Sequence, residues 1–405
     1  MRNPFVGKNP LEQAATSTSL IAVQNPARLE LFQLQSRTNV VSGAGCVQQA
    51  GVLAAALGRR HALLVTDAGI VAAGHASRVC ASLEQAGLRV TTFDKSRENP
   101  TTRCVDDCVA VAKAAGVDLI VGLGGGSSMD TAKGCNFILT NGGRMQDYWG
   151  VGKATQPMLP FIAIPTTAGT GSELQSAALI ADEVTHQKMA CLDAKCAAAV
   201  AILDPTLTVS QPARVTACTG IDAIAHAVET AVTTKRNEVS WRFSCEAFRL
   251  CRTAFPEVMT APDRLAARAQ MQLGAALAGA AIEASMLGAA HAAANPLTAH
   301  FGIAHGHAVG LMLPHVVRFN AADTATAARY RELAAVAGVA EDRLALEMEA
   351  LLNLAGLPAT LHAAGVERAC LPDLAEEAAR QWTATFNPRK LAAADFAELY
   401  AAAFG

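Results

Sequence analysis

Short apolar runs alternate with longer amphipathic stretches through the first half of the chain. The strand-like runs are 61–66, 88–93, 118–124 and 158–165, and the helix-like stretches are 71–87, 101–116 and the segment after Ser127. Strands that alternate with helices of this length predict βαβ units and a parallel sheet.

Two further segments have the alternating pattern of a β-hairpin. Residues 29–45, LELFQLQSRTNVVSGAG, predict a hairpin that ends in a glycine loop, and the runs 176–182 and 187–193 flank a polar turn. The N-terminal residues 1–28 lack the uninterrupted apolar core of a secretory signal. We therefore expect residues 1–28 to be a polar extension.

Strand signals stop after Asp204 and Pro205. Residues 211–405 have helix-length apolar periodicity, with proline or glycine near 256, 262, 296, 314, 338 and 357 as expected helix breaks. The pattern predicts an α/β domain over 29–208 and an all-helical domain over 209–405.

Composition excludes several classes of protein. Among 405 residues there are 33 lysines and arginines against 35 aspartates and glutamates, so no cationic excess exists for nucleic acid or an acidic membrane surface. The longest apolar stretch, 273–282, is too short to span a bilayer. The eleven cysteines form no C-x-x-C pair and are odd in number, which predicts a reduced, cytoplasmic protein.

A glycine loop, GLGGGSS over 122–128, lies between an apolar strand and a helix start. Glycine amides and the helix N-terminus can approach an oxygen anion there, which fits a pyrophosphate. Because Ser127 breaks the G-x-G-x-x-G pattern, a tight structural turn is the alternative.

Two more segments fit a dinucleotide crevice. Asp67 closes the first βαβ strand, where its carboxylate would bond a ribose and repel a 2′-phosphate; the alternative is a helix N-cap. The run IPTTAGTGSE over 164–173 puts hydroxyls and glycines after another strand. Its alternative is a hydroxyl-rich loop without a ligand.

A metal site is predicted in the second half of the chain. Asp222 and His226 are one helical turn apart in GIDAIAHAVE, and His291 and His305 flank the junction of two helices. One carboxylate and three imidazoles suit Fe²⁺ or Zn²⁺ with a position open for substrate. Histidines 300 and 307 are expected to border the site, and the histidine at 315 to cap or pack a helix.

These segments together resemble the iron-containing, or group III, alcohol dehydrogenases. The motifs that carry the resemblance are GGGSSMDTAK (124–133), PTTAGTGSE (165–173), DPTLT (204–208), GIDAIAHAVE (220–229), HAAANPL (291–297) and HGHAVGLMLPHVVRFN (305–320). The resemblance implies the dehydroquinate synthase-like fold: a dinucleotide-binding parallel-sheet domain, a helical domain, and a cleft for metal and nicotinamide. It also implies a homodimer or a larger homo-oligomer.

The resemblance also assigns residues by position. It assigns the metal ligands to Asp222, His226, His291 and His305. It assigns the NAD contacts to Asp67, Asn99, Gly125, Gly126, Ser127, Thr166, Thr167 and Lys188. Asp67 resembles the family position associated with preference for NAD.

Asn295 departs from the family pattern, because many alcohol-reducing members have a histidine four residues after the third ligand. Asparagine cannot exchange a proton near neutral pH. The proton would then pass through water, a ribose hydroxyl, His300 or His307, which makes these two histidines and Asn295 the candidate catalytic residues.

The predicted function is metal-dependent NAD(H) oxidoreduction between a small alcohol and its aldehyde or ketone. One rival is a dehydroquinate-synthase-like lyase that uses NAD and a metal. Segments 220–229 and 285–310 contain no lysine or arginine, which argues against its phosphorylated substrate. The other rivals are a metal-free maleylacetate-reductase-like enzyme and a degenerate binding or scaffold protein; the retained ligand and glycine motifs count against both.

Overall fold

A parallel sheet of six strands forms the centre of the first half of the molecule, within the residues that the computed structural model describes, 37–185 and 187–405. In chain order the strands are β1 Asn39–Ser42, β2 His61–Val65, β3 Arg89–Phe93, β4 Leu119–Gly124, β5 Gly150–Val151, β6 Phe161–Pro165, β7 Ala177–Ala181, β8 Lys188–Leu192 and β9 Val200–Leu203. The large sheet has the order β1-β9-β6-β4-β2-β3, and its paired strands are parallel. The predicted parallel sheet is confirmed.

The two hairpin predictions have different outcomes. Strand β7 pairs antiparallel with β8, from Ala177 opposite Leu192 to Ala181 opposite Lys188, so the second hairpin is confirmed. The prediction of a hairpin over 29–45 is wrong about its second strand, because that strand, β1, pairs in parallel with β9. Its first strand, and the extension 1–28, lie outside the described residues.

Helices cover both faces of the sheet. They are α1 Ala50–Ala56, α2 Ala68–Ala72, α3 His75–Gln85, α4 Thr102–Ala115 and α5 Gly126–Asn141. The helix predicted over 71–87 is divided at Gly74, whose φ of 78° is left-handed. The helix expected after Ser127 begins slightly earlier, at Gly126.

Alternate residues of the strands contribute to two separate apolar clusters. Leu63 and Val65 of β2 pack in the cluster that contains Val105 of α4, whereas Leu64 packs in the cluster that contains Val79 of α3. Both faces of the strands are therefore buried, as expected for a parallel sheet with helices on each side. This burial fixes where each strand ends, and hence where the loops at its carboxyl end lie.

The rest of the described chain, after β9, is helical. Its helices are α6 Ala213–Thr230, α7 Glu238–Thr260, α8 Leu265–Ala284, α9 Ala289–Phe301, α10 His305–Asn320, α11 Thr324–Val336, α12 Leu344–Leu354, α13 Leu371–Arg380 and α14 Ala393–Phe404. They enclose a third apolar cluster. The predicted boundary at 208–209 falls between β9 and α6.

Three of the predicted helix breaks are wrong. Pro256, Pro296 and Pro314 lie inside α7, α9 and α10. A proline in a helix interior costs about 3 kcal/mol, but Pro296 and Pro314 are buried, and packing of their helices in the core offsets that cost. The breaks near 262, 338 and 357 are confirmed.

No single helix within residues 37–185 and 187–405 is long and apolar enough to cross a bilayer. Helices α8 and α9 together have the length and composition of a membrane span, but the chain bends by 107° between them.

Candidate active site

The glycine loop follows β4 at the point where the order of the sheet reverses. Strand β3 lies on one side of β2, whereas β4, β6 and β9 succeed one another on the other side. In an open parallel sheet, a crevice for ligands forms at the carboxyl ends of the strands beside such a reversal. The loops after β2, β4 and β6 therefore meet where a dinucleotide would bind.

The backbone of the glycine loop leaves no room for side chains. Gly124 has a φ of 145°, and a Cβ on it would lie 2.5 Å from Oγ of Ser128. Gly125 is the N-cap of α5, with no side-chain hydrogen bond capping that end among the described residues. Gly126 and Ser127 form the first turn, so the backbone amides of this long helix can bind an anion.

The threonine loop after β6 packs directly on the glycine loop. The backbone N–H of Thr166 donates to the carbonyl of Gly124 at 2.9 Å. A Cβ on Gly125 would lie 3.3 Å from Cγ2 of Thr167, and one on Gly126 would lie 2.9 Å from Cγ2 of Thr170. The structure thus brings together the two loops that the sequence singled out.

Asp67 follows β2 and lies beside the same loop. Its Oδ1 accepts the backbone N–H of Ile70 at 3.0 Å, which makes it the N-cap of α2. Its Oδ2 accepts from Oγ of Ser128 at 3.4 Å. Both interpretations weighed for Asp67 are compatible with this geometry, since a capping carboxylate keeps further lone pairs for a ribose.

Asn99 and Lys188 meet at another side of the crevice. Asn99 adopts a left-handed φ of 51°, which asparagine tolerates well. Nζ of Lys188 lies 3.5 Å from Oδ1 of Asn99. The positive charge of Lys188 also acts on His305: after burial, it is the strongest of the influences that lower the pKa of that histidine.

Three of the predicted metal ligands form a tight cluster. Asp222 and His226 lie one turn apart on α6, and His291 lies in the first turn of α9; their ligand atoms are all within 4.8 Å of one another. Oδ1 of Asp222 lies 3.4 Å from Nε2 of His226 and 3.5 Å from Nε2 of His291. The two imidazole rings stack with centroids 4.8 Å apart.

The residues present fit a divalent cation. Oδ1 of Asp222 and Nε2 of His291 are buried and have no hydrogen-bond partner among the described residues. A buried polar atom without a partner costs about 1 to 3 kcal/mol, and a cation between two such atoms that face each other would satisfy both. A carboxylate oxygen and imidazole nitrogens are ligands for Fe²⁺ or Zn²⁺.

The charges of the cluster also suit a cation. Burial opposes the charge of Asp222, but His226, His291 and His305 outweigh this and hold its pKa well below its usual range. Burial lowers the pKa of His226 to about 4, although Asp222 opposes that shift. A carboxylate and a neutral imidazole are the protonation states in which these groups bind metals.

His305 borders the cluster from the start of α10. Its ring centroid lies 5.4 Å from that of His291, and burial lowers its pKa to about 3, so its imidazole is neutral. Within the described chain, the 4.8 Å grouping of ligand atoms is limited to Asp222, His226 and His291. Ligation by His305 therefore stays a prediction.

Glu229 contacts the cluster, and the sequence analysis missed it. Its Oε2 accepts from Nδ1 of His291 at 2.5 Å. Burial disfavours charge on His291, but the carboxylates of Glu229 and Asp222 outweigh this and raise its pKa to about 9. The signal was present, because residues 222, 226 and 229 share one helical face at i, i+4 and i+7.

Lys133 is a second residue that the sequence analysis missed. Its buried Nζ donates to the carbonyls of Ser172, Gln175 and Ala177 at 2.7 to 3.0 Å. The available signal was a lone cation among the apolar residues of α5. Lys133 thereby holds the segment after the threonine loop against the helix that the glycine loop begins.

The candidate proton-transfer residues lie in different places. Asn295 lies one turn after His291 on α9, and its Nδ2 donates to Oε1 of Gln381 at 3.1 Å. His300 is exposed, and its Nε2 lies 2.6 Å from Oε2 of Glu377. At 1.5 Å per residue, it lies about 13 Å further along the helix axis than His291. The structure therefore does not bring His300 to the cluster.

The remaining two histidines are part of α10. Nε2 of His307 lies 2.7 Å from the carbonyl of Pro358, which directs this buried ring towards the segment after α12. His315 packs within the helix next to Pro314, as expected, and burial lowers its pKa. Neither position supports a role at the metal.

Comparison with protein families gives two adjacent matches. The family described as "Iron-containing alcohol dehydrogenase" matches residues 37–205, and "Fe-containing alcohol dehydrogenase family, C-terminal" matches residues 216–404. The chain belongs to the iron-containing alcohol dehydrogenases. The matched segments correspond to the sheet domain and the helical domain.

Similar members of the iron-containing alcohol dehydrogenases include characterised enzymes. The NAD-dependent methanol dehydrogenase of Bacillus methanolicus is 34% identical over 368 residues, which cover 89% of this chain and 96% of the relative. The 1,3-propanediol dehydrogenase of Citrobacter freundii is 33% identical over 373 residues, 89% of this chain and 96% of the relative. A crystal structure of 1,3-propanediol oxidoreductase superposes with a TM-score of 0.87 at 31% identity, covering 93% of this chain and 100% of that one.

Membership of this family and the cluster of potential metal ligands indicate the same general activity. As an iron-containing alcohol dehydrogenase, the chain is an oxidoreductase that uses NAD and a divalent metal. The resemblance stated from the sequence is confirmed, and the lyase and scaffold alternatives are set aside.

Proposed function

We propose that Asp222, His226, His291 and His305 hold Fe²⁺, or Zn²⁺ in its place, at the active centre of this dehydrogenase. The observation that carries the proposal is the facing pair of buried atoms, Oδ1 of Asp222 and Nε2 of His291, which lack a hydrogen-bond partner among the described residues. His305 is included because its neutral ring borders the three clustered ligands. The open side of such a site would admit the substrate oxygen.

We propose that NAD lies across the carboxyl ends of β2, β4 and β6. Gly125, Gly126 and Ser127 would offer backbone N–H groups to the pyrophosphate, with Thr166 and Thr167 alongside. Asp67 would accept hydrogen bonds from the adenosine ribose, and Asn99 and Lys188 would border the nucleotide from the other side. Because Asp67 is anionic and already holds Ser128, it would favour NAD over NADP.

When bound, the cation supplies Lewis acidity at the substrate oxygen, and the nicotinamide accepts or returns the hydride. The protein's own residues hold and align both groups. The carboxylate of Asp222 and the imidazoles of His226 and His291 are buried, and charge interactions are stronger in such an environment than in water. The packing of Thr166 and Thr167 on the glycine loop would set the position of the nucleotide relative to that centre.

For the substrate we propose a small alcohol and its aldehyde or ketone, with primary alcohols and short diols first. The names of the methanol and 1,3-propanediol relatives support this class. On this chain, Asn295 and Gln381 add a hydrogen-bonded pair of amides one turn from His291, which would suit a second oxygen of a diol.

Proton transfer is proposed to pass through solvent or a ribose hydroxyl. His300 and His307 were the other candidates, and their contacts with Glu377 and Pro358 do not favour them. The pH dependence of kcat distinguishes these routes from a histidine relay.

We further propose a homodimer or larger homo-oligomer in the cytoplasm. All eleven cysteines are free in the described part of the chain, which is consistent with a reducing compartment. The oligomeric proposal rests on the family resemblance alone and is tested by light scattering of the purified protein.

The deciding experiment joins metal content to turnover. The wild type, purified without oxygen, is analysed for metal and assayed for NAD reduction with methanol, ethanol, 1,2-propanediol and 1,3-propanediol. We expect about one divalent metal per chain and activity that falls when a chelator removes it. Full activity of the metal-depleted protein would refute the proposal, and His362→Ala, an exposed histidine that contacts Phe404, provides a matched control for the ligand variants.

A further inference from the structure

Glu229 is a buried carboxylate surrounded by three hydrogen-bond donors. It accepts from Nδ1 of His291 at 2.5 Å, from the backbone N–H of Ala290 at 2.7 Å and from that of Gly288 at 3.2 Å. Its own helix, α6, also carries Asp222 and His226. One side chain of that helix therefore binds the first turn of α9, which carries the third ligand of the cluster.

The contacts of Glu229 cap the start of α9. Gly288, the N-cap, provides no side-chain cap, and among the described residues the first N–H groups of this helix are bound by Glu229 and Asn387. Gly288 allows this approach, because a Cβ there would lie 3.1 Å from Oε1 of Glu229 and 3.2 Å from Oδ1 of Asn387. The carboxylate thus stabilises the helix start and contacts a ligand ring at the same time.

The hydrogen bond to Nδ1 determines which nitrogen of His291 is available. A carboxylate only accepts hydrogen bonds, so Nδ1 must carry the proton. In the neutral imidazole, the state in which histidine binds metals, the lone pair is then on Nε2, the atom that lies 3.5 Å from Oδ1 of Asp222 and has no hydrogen-bond partner in the described chain. A carboxylate behind a ligating imidazole fixes both the tautomer and the ring orientation.

We propose that Glu229 is a positioning residue that prepares His291 to bind the metal. This inference rests on the proposed metal site and adds a residue to it that touches neither substrate nor cofactor. Glu229 holds the ring so that Nε2 faces Asp222, and it ties the ligands of α6 to the ligand of α9.

Glutamine at this position tests ligand positioning while keeping the shorter of the two capping hydrogen bonds. Glu229→Gln keeps the size of the side chain and an oxygen at the position of Oε1, which accepts the backbone N–H of Ala290. Its amide nitrogen, if it faces Nδ1, donates to that atom and moves the imidazole proton to Nε2, where it blocks the metal. A purely structural Glu229 would tolerate glutamine with unchanged metal affinity.

The experiment measures binding of Co²⁺ to the full chain after metal removal. Affinity is followed by the visible absorption of Co²⁺ in competition with a chelator, and the release rate is measured after excess chelator is added. The variants are Glu229→Gln and Glu229→Asp, with Glu283→Gln as the matched control. Glu283 is likewise a carboxylate that accepts a backbone N–H, that of Ser176 at 2.9 Å, and hydrogen-bonds the hydroxyl of the same residue.

We expect Glu229→Gln to weaken Co²⁺ binding by about 10- to 100-fold and to speed its release, and Glu229→Asp to give an intermediate affinity. Glu283→Gln should bind Co²⁺ as the wild type does. Wild-type affinity in Glu229→Gln would overturn the inference. If that variant does not fold, wild-type affinity in Glu229→Asp would overturn it equally, and weaker binding by Glu229→Asp would support it.

The same measurement distinguishes failure of the inference from failure of the proposed metal site. A wild type that binds no Co²⁺ contradicts the metal site and everything that rests on it. A wild type that binds Co²⁺ together with a Glu229→Gln variant of equal affinity leaves the metal site standing and removes only the positioning role.

Discussion

Oδ1 of Asp222 and Nε2 of His291 face each other at 3.5 Å in a buried space and form no hydrogen bond. They belong to different helices, α6 and α9, so the helical core that fixes those two helices also fixes this separation. A cation bound between these two buried polar atoms, which have no hydrogen-bond partner among the described residues, would satisfy both of them.

The first prediction concerns removal of a ligand. His291→Ala should abolish metal binding and alcohol oxidation together, because it removes one of the atoms that the cation would bind. The thermal unfolding midpoint of the variant should stay within a few degrees of that of the metal-free wild type. Metal analysis, turnover and circular dichroism check this, and a His291→Ala variant that keeps its metal would contradict the assignment.

The second prediction separates the charge of Asp67 from its role as a helix cap. Asp67→Asn keeps an N-cap acceptor for Ile70, since asparagine caps as well as aspartate. It loses the negative charge that would repel a 2′-phosphate. We expect the ratio of kcat/KM for NAD to that for NADP to fall by about tenfold or more, since each charge-assisted hydrogen bond is worth about 1.5 to 3 kcal/mol.

Asp67→Gly serves as the comparison in that experiment, because it removes both the charge and the cap. It should show the same relaxed cofactor preference with a lower unfolding temperature. Equal kcat/KM values for the two cofactors in the wild type would rule out the role assigned to Asp67.

The third prediction concerns the contact between the glycine and threonine loops. Gly126→Ala would place a methyl group 2.9 Å from Cγ2 of Thr170, too close unless one of the two loops shifts. We expect KM for NAD to rise by about tenfold, the effect of about 1.4 kcal/mol, with a smaller change in kcat. Adding Thr170→Ser removes the nearest methyl and should restore part of the affinity, whereas a double variant no better than Gly126→Ala would show that this contact is not the cause.

The fourth prediction concerns proton transfer. We expect His300→Ala to leave both kcat and its pH profile unchanged, because this exposed ring bonds Glu377 rather than the cluster. His307→Ala should lower stability through the lost contact with Pro358 and leave the pH profile in place. A relay contributes typically about 10²- to 10⁴-fold to rate, so a real role for either histidine would be evident in kcat against pH.

Asn295 is tested in the same series of measurements. Asn295→Ala should slow turnover only modestly, because asparagine transfers no proton and the variant loses mainly the hydrogen bond to Gln381. A collapse of kcat confined to Asn295→Ala would instead show that this amide orients the reacting groups. Asn295→His, which introduces the residue that many family members have, should add an ionisation to the pH profile.

The parts of the site that follow local rules could be predicted from the sequence. Asp222 and His226 are one helical turn apart, and a helix puts such a pair on one face whatever surrounds it. The glycine loop and the threonine loop follow successive strands of a parallel sheet, whose carboxyl ends meet at one edge. These predictions needed no knowledge of tertiary contacts.

The features that depend on tertiary contacts could not be predicted in the same way. Pro296 and Pro314 signal helix ends, but burial in the helical core keeps their helices intact. Strand β1 has an alternating pattern that suits a hairpin, yet it pairs with β9, which lies at the other end of the domain's sequence. His300 is close to the ligands in sequence, but its distance along α9 carries it to the surface.

The clustered ligands Asp222, His226 and His291 all lie in the helical domain, whereas the glycine loop and Asp67 lie in the sheet domain. In the proposed site, the helical domain would therefore supply the clustered metal ligands and the sheet domain the contacts with the nucleotide. Substitutions at separate places combine additively, as a rule, in their free energies. We therefore expect substitutions at Asp67 that change the preference between NAD and NADP to leave the metal affinity of the helical domain nearly unchanged.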